Sequence, residues 1–246
     1  MLPTLQVGPL AVPVPALLVL LGIWLGLSLA ERAAPRYGVD PNHLYNLVLI
    51  ALVGGLVGAR LAYALRYPAL FAGRPLDLLS RDLALLDPLG GVAIALIAAL
   101  VYAQRRQMPF WSTLDALTPG LAVMGVALGL SHLASGSAFG SPSNLPWAIE
   151  LWGAPRHPVQ VYETILAALI LVAVWPAKGW IRPTRPGMLF LSFTALSALS
   201  RLFLEAFRGD STLWFDGLRS AQIIAWLVLA ASLWLLLRRR TIQTTE

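Results

Sequence analysis

The chain has 246 residues, 58% of them apolar and 12% charged, with a net charge of +6 and a mean hydropathy of +0.72. This composition excludes an ordinary soluble domain, and basic residues scattered without a compact basic region exclude a nucleic-acid partner. There is no cysteine, which excludes disulfides, thiolate nucleophiles and cysteine-ligated metals. The three histidines, His43, His132 and His157, match no metal-ligand spacing, so neither metal nor cofactor is expected.

Crossing a bilayer takes about 20 apolar residues, and seven segments qualify in chain order. Val12–Ala30 carries Gly22 and Gly26; it lacks the basic leader of a cleaved signal and reads as a retained span. Leu44–Leu65 contains Gly54, Gly58 and a lone Arg60. Leu83–Ala103 is interrupted by Asp87-Pro88 and reads as a broken or re-entrant helix. Leu114–Ala134 holds Gly125 and Gly129 and ends beside His132. A stretch rich in Gly, Ser, Pro and Asn follows, read as an irregular loop whose Trp147 and Trp152 suit the headgroup layer. Pro158–Trp175, Gly187–Leu204 and Leu218–Leu237 complete the set. The fold class is therefore all-α, a polytopic membrane protein with about seven transmembrane helices. It forms a single transmembrane domain over residues 1–246, without a visible internal repeat. The paired glycines serve either a dimer face or packing within the bundle.

Positive charge sets orientation. With the N-terminus outside, Arg32, Arg36, Arg105, Arg106, Lys178, Arg182, Arg185 and Arg238 to Arg240 fall on the cytoplasmic side. Arg66, Arg74, Arg81, Arg156, Arg208 and Arg219 fall outside. The bias favours an outside N-terminus and a cytoplasmic C-terminus.

Polar groups at membrane depth cost roughly 2.5–3.5 kcal/mol each, so the dense ones mark a site or a path. Arg156-His157-Pro158-Val159-Gln160-Val161-Tyr162-Glu163 is the densest run. Gln160 and Glu163, three apart, share a helix face; they either cap the helix start or line a polar site. Arg201, Glu205 and Arg208 share another face, as a self-neutralising ladder or as a phosphate clamp whose arginine is held by a carboxylate. Arg60 has no acid within a turn: it snorkels, or it takes its counter-ion from another helix or a ligand.

These residues resemble the bacterial prolipoprotein diacylglyceryl transferases over nearly the whole chain. Arg156-His157-Pro158-x-Gln160-x-Tyr162-Glu163 is similar to the family's Arg-His-Pro-Ser-Gln-Leu-Tyr-Glu. Gly58-Ala59-Arg60 with Tyr63 resembles its Gly-Gly-Arg-x-x-Tyr. Arg201, Glu205 and Arg208 fit its Arg-x-x-x-Glu-x-x-Arg, and Gln222 and Val7-Gly8-Pro9 also fit. The resemblance implies a multi-pass protein of the bacterial plasma membrane. Its partners would be phosphatidylglycerol, or another anionic phospholipid, and a preprolipoprotein, whose lipobox cysteine receives the diacylglyceryl group. Arg201 and Arg60 would bind the headgroup, Glu205 would position Arg201, and Arg156 with Glu163 would shape the chamber.

The hallmark Gly-Arg-x-Gly-Asn-Phe-x-Asn-x-Glu-x-x-Gly is largely replaced. Its arginine is Gly129, its asparagines are His132 and Ser135, its glutamate is Ser137, and only Gly140 survives. The family's His-Gly-Gly is Leu89-Gly90-Gly91, and a first-span tyrosine is Pro15. Transfer needs a base for the thiol and cations for the departing phosphate. His132 is the candidate base, its alternative being a satisfied polar residue at a span end. Two other functions fit the same residues: an altered member that binds anionic lipid or a lipoprotein without transferring lipid, and a small anion transporter using the arginines. The lack of a repeat speaks against the transporter.

Overall fold

In a computed structural model, residues 4–7, 10–73, 75–80, 82, 85–176, 178–214 and 218–241 are described. Gly8, Pro9, Arg74, Arg81 and Leu83, used above for the family match, the charge bias and the third span, lie outside them. Among the described residues six helices are long and apolar enough to cross a membrane. They are α1 (Val14–Ala33), α2 (Pro41–Arg66), α4 (Pro88–Arg105), α5 (Phe110–Ser135), α7 (Met188–Glu205) and α8 (Ser220–Thr241). A five-residue helix, α3 (Pro68–Ala72), follows α2. Leu20, Trp24, Trp226 and Leu227 stand more than half exposed. Only a hydrocarbon solvent removes the cost of such faces, so the chain is a multi-pass membrane protein.

Two expected spans need correction. The fifth, α6 (Val159–Ala173), has only 15 residues, about 22 Å of rise. Pro158 precedes it at the cap position, Val174 leaves helical geometry, and Pro176 cannot extend it. The third is one unbroken helix of 18 residues, long and apolar enough to cross a membrane. Its helix starts at Pro88, where the ring costs nothing at a first turn, and Asp87 caps it by accepting from the Gly90 amide at 2.8 Å. That amide, and after it the Arg66 guanidinium, hold the Asp87 carboxyl below the usual aspartate range. The cap therefore keeps its charge into acid and is lost only as pH falls through that lowered value.

The chain falls into two compact units. Residues 34–113 form one and residues 1–33 with 114–246 form the other. In the first, α2 and α4 lie face to face through small residues, Gly55 against Ala95 and Gly54 against Ala98. In the second, Gly26 of α1 meets the backbone of Gly120 in α5, and Gly125 of α5 lies at contact distance from Ala167 of α6. The paired glycines thus serve packing within the chain.

Three short antiparallel hairpins were not foreseen: β1–β2 (Thr4–Val7, Leu10–Pro13), β3–β4 (Ile149–Leu151, Ala154–Arg156) and β5–β6 (Leu213–Trp214, Leu218–Arg219). The loop expected to be irregular over 135–157 therefore contains a two-stranded element. It turns at Trp152 and Gly153, both left-handed at φ +55° and +76°. The Ser141 amide donates to the Phe207 carbonyl at 2.8 Å and the His157 amide to the Ser141 carbonyl at 3.1 Å, tying this loop to the ends of α6 and α7.

A buried carboxylate that sequence reading passed over holds α7 in place. Asp115 of α5 accepts from the amides of Gly187 (2.6 Å) and Phe190 (2.8 Å), two of the orphan donors at the helix start. Gly187 sits there at φ +89°, a conformation that favours glycine. Asp115→Ala leaves both amides unpaired in a dry place. The expected loss is about 1–3 kcal/mol, read as a lower thermal midpoint in detergent, with Asp115→Asn recovering part of it.

Candidate active site

The site grows from the contact between α5 and α6. At Gly129 the two helices approach so closely that a Cβ would lie 2.6 Å from Thr164 Oγ1 and 3.0 Å from its Cα. Thr164 cannot swing aside freely, because its hydroxyl donates to the Gln160 carbonyl at 2.8 Å. One turn along α5 from Gly129 stands His132, and Glu163 precedes Thr164. The approach brings His132 Nδ1 to 2.8 Å from Glu163 Oε2. A carboxylate only accepts, so in this pairing Nδ1 is the donor, which leaves Nε2 as the nitrogen turned away from Glu163.

Glu163 also lines a cavity of about 140 Å³ between α5, α6 and α7. Its other polar walls are Ser197, Ser200 and Arg201, at spacings of three and four on one face of α7; Gly125, Ala167 and Phe193 supply apolar walls. Arg201 is held by the buried Glu205, Nε to Oε2 at 3.3 Å, with about a third of its side chain accessible. Ser211 donates to the other oxygen of Glu205.

The ladder does not treat its two arginines alike. Arg208 is 4.0 Å from Glu205 but makes a bidentate pair with Asp210, Nε to Oδ1 at 3.0 Å and Nη2 to Oδ2 at 2.9 Å. Its charge is spent on the loop after α7. Arg201 is the arginine that reaches the cavity.

The rest of the octapeptide Arg156 to Glu163 builds the surround. Gln160, fully buried, donates from Nε2 to the Ser137 carbonyl at 2.9 Å; neither it nor Glu163 caps α6, whose start has no side-chain cap. The His157 ring lies tilted against Phe207 (centroids 5.2 Å) and edge-on to Tyr162 (6.5 Å). Arg156 donates from Nε to the Leu151 carbonyl at 3.0 Å and from Nη1 to the Gly140 carbonyl at 3.3 Å. Its guanidinium lies 5.0 Å over the Phe139 ring. It fastens the loop between α5 and α6.

Arg60 belongs to the unit of residues 34–113. Its guanidinium is wrapped by the carbonyls of Leu78, Ser80, Asp82 and Leu85 and by the Ser80 hydroxyl. Peptide dipoles, in place of a carboxylate, satisfy this cation. Leu89, at the position of the family's histidine, is largely exposed and offers no base.

Sequence reading named Glu163, the Arg201–Glu205 pair and His132. It missed that Glu163 and His132 form a pair, and it missed Ser197, Ser200, Asp210 and Ser211. Ser197 and Ser200 were visible on the same span, one turn before Arg201 and directly beside it.

The profile of the prolipoprotein diacylglyceryl transferase family matches residues 3–238. Three relatives each carry the name phosphatidylglycerol–prolipoprotein diacylglyceryl transferase. The protein from Synechococcus elongatus is 30% identical over 93% of this chain and 84% of its own length. Those from Trichormus variabilis and Nitratidesulfovibrio vulgaris are 30% and 32% identical. Each spans 96% of this chain, with 89% and 92% of their own lengths covered.

Proposed function

Because the chain belongs to the prolipoprotein diacylglyceryl transferase family, we propose that it moves the diacylglyceryl group of phosphatidylglycerol onto the lipobox cysteine of preprolipoproteins. The observation that carries this reading is the joining of His132, Glu163 and Arg201: an imidazole held by a carboxylate that shares one cavity with an arginine. His132 Nε2 takes the thiol proton. The thiolate then attacks the glyceryl carbon; a C–S bond forms, the C–O bond to phosphate breaks, and glycerol phosphate leaves with the electron pair. Arg201, aimed by Glu205, meets the charge growing on that phosphate. Glu163 fixes the tautomer of His132 and offsets the imidazolium that forms.

This assignment replaces the missing family histidine and arginine with residues at other positions. Since the donors of Arg60 and Arg156 serve backbone carbonyls, headgroup contact is assigned to Arg201. Incubating the purified protein with phosphatidylglycerol vesicles and a lipobox peptide tests the reading. A peptide gaining one diacylglyceryl thioether supports it. Lipid binding without thioether would establish the second reading, a lipid-binding relative, which the apolar Leu89 favours.

The proposed orientation, with the N-terminus outside, rests on charge placement. The absence of cysteine makes it directly testable. Asn144→Cys is expected to react with an impermeant maleimide in intact cells, and Arg105→Cys only after permeabilisation. The reverse pattern inverts the topology.

A further inference from the structure

A second hollow lies on another face of α5. Leu21, Leu25, Leu29 and Arg32 of α1, Ala127 of α5 and Trp175 beyond α6 are among the residues lining a groove of about 580 Å³. That volume falls within the roughly 300–1,000 Å³ typical of ligand pockets, whereas the reaction-site cavity, about 140 Å³, is far smaller. Arg32 is the one charged residue in the lining; it is exposed and has no ion-pair partner among the described residues. An apolar trough with a single cation and a tryptophan at one end matches a phospholipid: chain along the trough, phosphate at the arginine.

The register of the helices says which leaflet. Gly22 meets Ala127 and Gly26 meets Gly120, so α1 and α5 run antiparallel. Arg32 lies six residues past that second contact on α1, and His132 lies twelve residues the other way on α5. Together these amount to about 27 Å along the bundle, close to the ~30 Å of a hydrocarbon core. A lipid phosphate at Arg32 therefore belongs to the leaflet opposite the reaction site and is not the substrate.

We propose that the groove between α1, α5 and α6 holds an anionic phospholipid of the leaflet at the C-terminal end of α1, its phosphate paired with Arg32. The purified full-length protein, reconstituted with phosphatidylglycerol or phosphatidylcholine, is ejected into native mass spectrometry and retained lipid is counted. Wild type and Arg32→Lys are expected to retain phosphatidylglycerol. Arg32→Gln is expected to lose about fivefold in retention, the weight of one juxtamembrane cation. Leu25→Trp, which fills the trough from its open side, is expected to lose it as well. Equal retention by Arg32→Gln and wild type overturns the proposal, as does equal retention of the two lipids. So does a dimer lost specifically in Leu25→Trp, which makes a second copy of the chain the occupant. None of these substitutions touches His132, Glu163 or Arg201, so a failed transfer reaction leaves this readout standing.

Discussion

Replacing His132 by alanine is expected to lower turnover by about 10²–10⁴-fold, the usual contribution of a positioned general base. The substitution removes the imidazole that Glu163 links to the cavity and takes that partner from Glu163. Arg201→Gln is expected to cost about 10²–10³-fold, as when one donor to a developing oxyanion is removed. Arg201→Lys restores the charge but not the forked geometry that Glu205 holds, and should recover only part of this. Glu163→Gln is the intermediate case: it can still accept from Nδ1, but it no longer offsets an imidazolium. The discriminating measurement is chemical rescue. Imidazole added to His132→Ala should restore part of the thioether yield if the ring moves a proton, and should do nothing if the ring only packs. Unchanged turnover in His132→Ala would remove the base from the mechanism.

Gly129→Arg, which restores the family's hallmark residue, is expected to abolish activity instead of raising it. The first side-chain carbon alone would overlap Thr164, whose backbone and hydroxyl are both fixed. Overpacking of this kind costs about 1–3 kcal/mol where side chains can adjust, and more where the obstacle is backbone. α6 must then draw away from α5, and the 2.8 Å pairing of His132 with Glu163 opens. The thermal midpoint should fall by about 2–4 °C for each kcal/mol lost in a chain of this size. The double variant with His132→Asn, closer still to the family pattern, should remain inactive. A more active Gly129→Arg would mean that the hallmark arginine can be accommodated and that the His132–Glu163 pairing is dispensable.

Gly129 shows where the sequence stops being readable. Considered alone it is a lost cation; next to α6 it is what lets two helices touch, and only the fold supplies that neighbour. Six of the seven spans were legible, since apolar runs of 18 residues or more have few other uses. So was the sharing of a face by Arg201 and Glu205, because helical spacing fixes it. Periodicity gives faces but not partners, and His132 and Glu163 are 31 residues apart on different helices. The fates of Arg208 and Arg60 were hidden for the same reason: a loop aspartate and four loop carbonyls claim them, and loops carry no period. The hairpins escaped because two to four residues per strand leave too little alternation to read.

The shortness of α6 has a consequence for the lipid around it. Ile165, Leu169 and Val172 expose one apolar side of a helix about 8 Å shorter than the hydrocarbon it must match. Acyl chains beside that side have to tilt or compress, pinching the bilayer locally. A diester linkage carried on such a dimple rides deeper than its neighbours, toward the level of Glu163. Local thinning would thus deliver the scissile bond to the cavity without lifting the whole lipid out of its leaflet.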